Sequence, residues 1–159
     1  LEHHLKLLGY DRILRLDGEE FRKRRESFKK NHSLKDRWFN IKLIVEIVLE
    51  EIINHEIIIV STVSHIRKMR LFARKKIGNF HEIYLSCKPE ICEKRDYKNL
   101  YHRAKSKNLD LDEIFPGVTE PYQKTKNPEL ILYTDQESID QSVKRLLNYF
   151  KDNIDKKLI

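Results

Sequence analysis

The run EIIIVSTVS, residues 56–64, decides how the rest of the chain is read. Ile57, Ile58, Ile59 and Val60 follow one another with no two-residue alternation, the pattern of a buried β-branched strand in a parallel sheet. Upstream, Ser33 and Asp36 make a capping-box-like start. It opens a long helix in which Trp38, Ile41, Val45, Val48 and Ile52 recur at helical spacing. Before it, RILRLDG (12–18) reads as a short strand ending in a turn. Downstream, residues 67–76 predict a helix and FHEIYLSC (80–87) a strand. Pro89 stands where a first helical turn accepts proline, so a helix is expected to about Arg95. A further helix covers 98–105, a loop carries Pro116-Gly117, and ELILYT (129–134) is a strand. The last helix places Ile139, Val143, Leu146, Leu147 and Phe150 on one face.

Strands alternating with helices imply an α/β layer fold with a mostly parallel sheet. Such folds place ligands at the carboxyl ends of their strands. The first strand here ends in Asp17-Gly18, the second in Ser61-Thr62-Val63-Ser64. The third leads into CEKRDYKNLYHRAK (92–105), a cationic segment with two tyrosines. Acid, hydroxyl and cation groups are therefore expected on one rim.

A length of 159 residues is read as one domain, 1–159, with enough chain to form a core without a disulfide or metal staple. Cys87 and Cys92 have no zinc-type partner pair nearby and read as reduced thiols. The longest apolar runs are broken by charge well short of a bilayer span, so no membrane partner is expected. The net charge of +7 favours an anionic partner without saying which. Basic stripes at 22–30 and 94–107 are interspersed with acids and carry no nucleic-acid recognition motif, so no nucleic acid is expected. The only methionine is Met69, and LEHHLKLLGY reads as part of a helix with Leu1, Leu5 and Leu8 on one face and Gly9 at its end.

Five segments together resemble the adenylylsulfate (APS) kinase family. LDGEEFR (16–22) is similar to that family's LDGDxxR, DRWFNIK (36–42) to DRxxNIR, and VSHIRKMR (63–70) to ISPYRxxR. CEKRDYKNLYHRAK resembles CExRDxKGLYxxAR, and FPGVTEPYQKTKNPEL (115–130) the family's F-x-G-[IV]-x-x-PYExPxxPEL. The resemblance implies a three-layer P-loop kinase-like fold and transfer of the ATP γ-phosphate to the 3′-hydroxyl of adenosine 5′-phosphosulfate. It implies ATP and Mg²⁺ as cofactors, ATP and APS as partners, a cytoplasmic location and, as members commonly form one, a homodimer. G-x-x-x-x-G-K-[ST] occurs nowhere in the 159 residues. The expectation is that the first strand and its phosphate-binding loop, with the main Mg²⁺ ligands, belong before Leu1, and that these residues alone are inactive.

Residue by residue, the resemblance makes Asp17 the carboxylate facing the acceptor hydroxyl and places Ser64 at the family's serine after the buried strand. Arg22, Arg37 and Asn40 match positions that hold the phosphosulfate and ribose; the planar arginine fork suits paired oxygens. Phe115 matches an aromatic that stacks on the acceptor adenine. Arg95 matches an arginine flanking the ATP adenine. Lys98 and Leu100 are substrate-binding positions in a lid over 98–122, with Tyr101 packing the lid helix. No metal ligand is expected among these residues.

His65 stands where the family has proline, Asn99 where KGLY has glycine, and Pro116 where threonine is common; His32 lies near an expected aromatic. These departures bear on the acceptor more than on the reaction class. The alternatives are a related kinase acting on another nucleotide conjugate, such as a cytidine diphosphoramidate, and a non-catalytic nucleotide-binding module.

Overall fold

Asp17 and Ser61 are register partners at the carboxyl ends of two parallel strands, β1 (Ile13–Asp17) and β2 (Ile57–Ser61). The computed structural model describes residues 1–19, 32–106 and 113–155. These fall into two units, one formed by the described residues of 10–80 and 96–124, the other by those of 1–9, 81–95 and 125–159.

In the first unit, α2 (Leu34–Glu51) starts where Ser33 accepts a hydrogen bond from Asp36 N at 3.2 Å. Such a cap is worth about 1 kcal/mol. The helix buries Ile41, Ile44, Val45, Ile47 and Val48. Ile44, Val45, Ile47 and Val48 form the core with Leu16 of β1 and Ile77, packed by Leu14, Ile58, Phe72 and Phe80. Phe72 belongs to α3 (Arg67–Lys76) and meets Trp38 edge-on at 6.2 Å. Ile52 closes the expected helical stripe yet is 46% exposed, because the core ends one turn earlier. β2 is half-buried along Ile57–Ile59 and exposed at Val60 and Ser61, rather than buried throughout. Its ladder has β1 on one edge and no second strand among the described residues.

A short helix, α5 (Leu100–Lys105), also belongs to this unit. It begins two residues later than expected because Asn99 is left-handed, at φ 54°. Asp96 Oδ2 then accepts from Tyr101 N at 2.6 Å and serves the opening turn.

The second unit pairs β3 (Ile83–Ser86) with β4 (Leu130–Tyr133), again parallel. It carries α1 (Glu2–Leu7), α4 (Pro89–Lys94, with proline in its first turn) and α6 (Ile139–Asn153). Ser138 and Gln141 form a reciprocal capping box at the start of α6. Phe150 is the buried member of its apolar face, while Ile139 at the first turn is 83% exposed. His81 Nδ1 and Tyr149 Oη lie 2.6 Å apart. Cys87 and Cys92 are both free thiols. The strands thus pair in parallel as expected, but in two two-stranded ladders instead of one described sheet.

Candidate active site

Parallel pairing sets the frame of the site. β1 delivers Asp17 and β2 delivers Ser61, side by side at the strand ends. Asp17 Oδ1 accepts from Glu19 N at 2.9 Å, so the carboxylate itself shapes the turn through Gly18. Beyond β2 the hydroxyls of Thr62 and Ser64 lie 3.0 Å apart.

The cationic segment reaches this same strand end. Lys98 Nζ meets the two carboxylate oxygens of Glu19 at 2.7 and 2.6 Å, two residues after Asp17. The hydrogen bond to Glu19 raises the Lys98 pKa against an opposing desolvation, and Tyr97 adds to the rise. Leu100 is 37% exposed at the start of α5. Phe115 is half-buried, its ring edge-on to Tyr101 at 4.9 Å. That contact joins α5 to the turn at Gly117, where φ is 90° and Gly117 N donates to Glu120 O at 2.7 Å.

The arginines do something the sequence reading did not foresee. Arg37 donates through Nε to His32 O at 3.0 Å and through Nη2 to Ile114 O at 2.9 Å. Arg70 donates to the carbonyls of Ser64 and Gln123. Arg67 donates to Lys124 O at 3.1 Å and, through its backbone N, to Gln123 Oε1 at 3.0 Å. Arg67 and Arg70 fasten segment 113–124 to the β2–α3 region, and Arg37 fastens it to the start of α2. Their position in the quoted motifs was a signal; its structural meaning was not.

Asn40 is buried on α2. Arg22 lies outside the described residues. Arg95 belongs to the unit carrying β3 and β4, where it closes α4 and donates to Thr134 O at 2.9 Å. Asp17, Ser64, Arg37, Asn40, Lys98, Leu100 and Phe115 thus all belong to the first unit, and Arg95 belongs to the other. Two further residues matter. Glu19 occupies the second acidic position of the LDGDxxR pattern, a visible signal. His65 is fully buried with no hydrogen-bond partner on either ring nitrogen among the described residues, which no periodicity announces.

Among the described residues, no group of three or more His, Cys, Asp or Glu could hold a metal ion. No described helix is long and apolar enough to cross a membrane.

The adenylylsulphate kinase family model matches residues 1–133. The chain is 34% identical over 158 residues to the adenylyl-sulfate kinase of Halothermothrix orenii, covering 96% of this chain and 80% of that protein. It is 33% identical over 143 residues to the adenylyl-sulfate kinase of Staphylococcus epidermidis, covering 87% and 69%. Among solved structures, the APS kinase of Mycobacterium tuberculosis in complex with AMPPNP and APS superposes with a TM-score of 0.83 at 27% identity. That match covers 94% of this chain and 86% of the other.

Proposed function

The chain belongs to the adenylylsulphate kinase family, with its P-loop kinase-like α/β fold, and from that membership we propose that it transfers the ATP γ-phosphate to the 3′-hydroxyl of APS. One observation carries the reading. Asp17 ends β1 opposite Ser61, and Lys98 is anchored two residues beyond it on Glu19. A carboxylate and a cation thus meet at the end of a parallel strand pair, where α/β folds bind ligands.

Phosphoryl transfer depends mainly on positioning and charge neutralisation. Asp17 orients the acceptor hydroxyl and takes its proton. Such a group contributes about 10²–10⁴-fold to rate. Lys98 offsets the negative charge spread over the transferring phosphoryl oxygens. Arg37 holds Ile114 and so sets the place of Phe115 against the acceptor adenine, while Asn40 and Arg22 complete the acceptor shell. Ser64 stands at the strand-end loop, Leu100 lines the lid over 98–122, and Arg95 contacts the ATP adenine. Mg²⁺ enters with the ATP phosphates as part of the substrate. A cytoplasmic location, a homodimer and the absence of a nucleic-acid partner belong to the same reading.

The test is ATP-dependent 3′-phosphorylation by the intact gene product, with APS and cytidine nucleotides offered in parallel. Conversion of APS to PAPS is expected. Turnover of a cytidine diphosphoramidate with APS untouched would replace the acceptor, and no binding of ATP would leave a non-catalytic module.

A further inference from the structure

His65 is 0% exposed, and neither Nδ1 nor Nε2 has a hydrogen-bond partner among the described residues. Buried polar atoms are nearly always paired, and an apolar side chain would fill such a place at lower cost. The ring follows Ser64 directly in the loop after β2, at the strand end that carries Asp17.

Its surroundings select a chemistry. Arg37 from α2 and Arg70 from α3 act on the ring with positive charge, against one carboxylate, Glu120. Both guanidinium groups use donors on backbone carbonyls: His32 and Ile114 for Arg37, Ser64 and Gln123 for Arg70. The imidazole nitrogens have no such commitment. Burial and the two arginines lower its pKa more than Glu120 raises it, so at neutral pH the ring offers an N–H rather than a charge. A positive field with an uncommitted N–H complements an oxyanion.

We infer that His65 is a specificity-determining residue, whose ring N–H donates to an anionic oxygen of the phosphosulfate end of the acceptor nucleotide. The inference rests on the APS kinase reading. Segment 113–124 is tied to the His65 backbone, Gln123 N donating to His65 O at 2.9 Å.

The experiment is calorimetric titration of the intact gene product, and of its His65→Phe and His65→Asn variants, with APS and with adenosine. His65→Phe removes both nitrogens; His65→Asn keeps an N–H. Expected is a loss of roughly tenfold or more in APS affinity for His65→Phe, the scale of a hydrogen bond to a charged group. Adenosine affinity should be unchanged in that variant, and His65→Asn should recover much of the loss. Equal losses for APS and adenosine would make the role structural and overturn the inference. So would unchanged APS affinity in a folded His65→Phe protein. If that variant does not fold, ¹⁵N imidazole shifts of the wild-type protein decide. APS should move the His65 signals and adenosine should not; no movement with APS bound overturns the inference. A wild-type protein that binds neither ligand defeats the kinase reading itself, and the inference with it.

Discussion

Lys98 and Glu19 form a two-pronged ion pair, with Nζ at 2.7 and 2.6 Å from the two carboxylate oxygens. The pair ties the segment before α5 to the turn that follows Asp17. It is solvent-accessible, with side chains 35% and 45% exposed, so salt screens it and its weight in folding is small. Its consequence lies in where it leaves the ammonium group.

Lys98→Met should therefore lower kcat/KM for the acceptor by about tenfold or more, the order of one lost charge contact. The melting temperature should stay near that of the wild type. Steady-state kinetics beside a thermal melt checks both. A Lys98→Met protein with full activity would remove Lys98 from the reaction.

Asp17→Asn separates chemistry from architecture. The asparagine oxygen still accepts from Glu19 N, now 2.9 Å from Asp17 Oδ1, so the turn survives. What is lost is the negative charge that the proposed function sets at the acceptor hydroxyl. The expected result is a fall in kcat of about 10²–10⁴ with little change in acceptor KM. A rapid-quench assay of the intact gene product measures it.

Much of this arrangement was legible in residue order. The α3 helix runs over Arg67–Lys76 as its spacing predicts, and each strand lies within its apolar run. The carboxyl ends of those runs held the acid and the hydroxyls. The arginines were not legible in the same way. A guanidinium group in a motif can meet a phosphate or a backbone carbonyl, and nothing local says which. Arg37 meets Ile114, 77 residues away, and Arg70 meets Gln123, 53 away. Burial of β2 was overstated for a related reason: an unbroken β-branched run says a strand can be covered, while coverage depends on neighbours distant in sequence.

Asn99 gives a prediction on stability alone. At φ 54° and ψ 29° it occupies a left-handed site that glycine or asparagine fills at little strain. Asn99→Gly should leave stability nearly unchanged. Asn99→Val places a β-branched side chain there and should cost about 1–2 kcal/mol. Urea denaturation of the three proteins at one pH checks the order.

Acid should weaken the fold through His65. Burial first, then Arg37, with Arg70 behind them and Glu120 opposing, holds its pKa below the ordinary 6.5. Well above pH 6.5 the ring is neutral in both the folded and the unfolded chain, and its contribution does not vary with pH. As pH falls through 6.5 the unfolded chain takes up a proton that the folded protein resists. Stability then declines, by at most about 1.4 kcal/mol per pH unit, until the folded ring also protonates. His65→Phe has no proton to take up and should lack this decline. Urea midpoints of both proteins from pH 7.5 to 5.5 (roughly a unit either side of the imidazole range) should diverge on the acid side. Parallel curves would show that the buried imidazole contributes nothing to acid sensitivity.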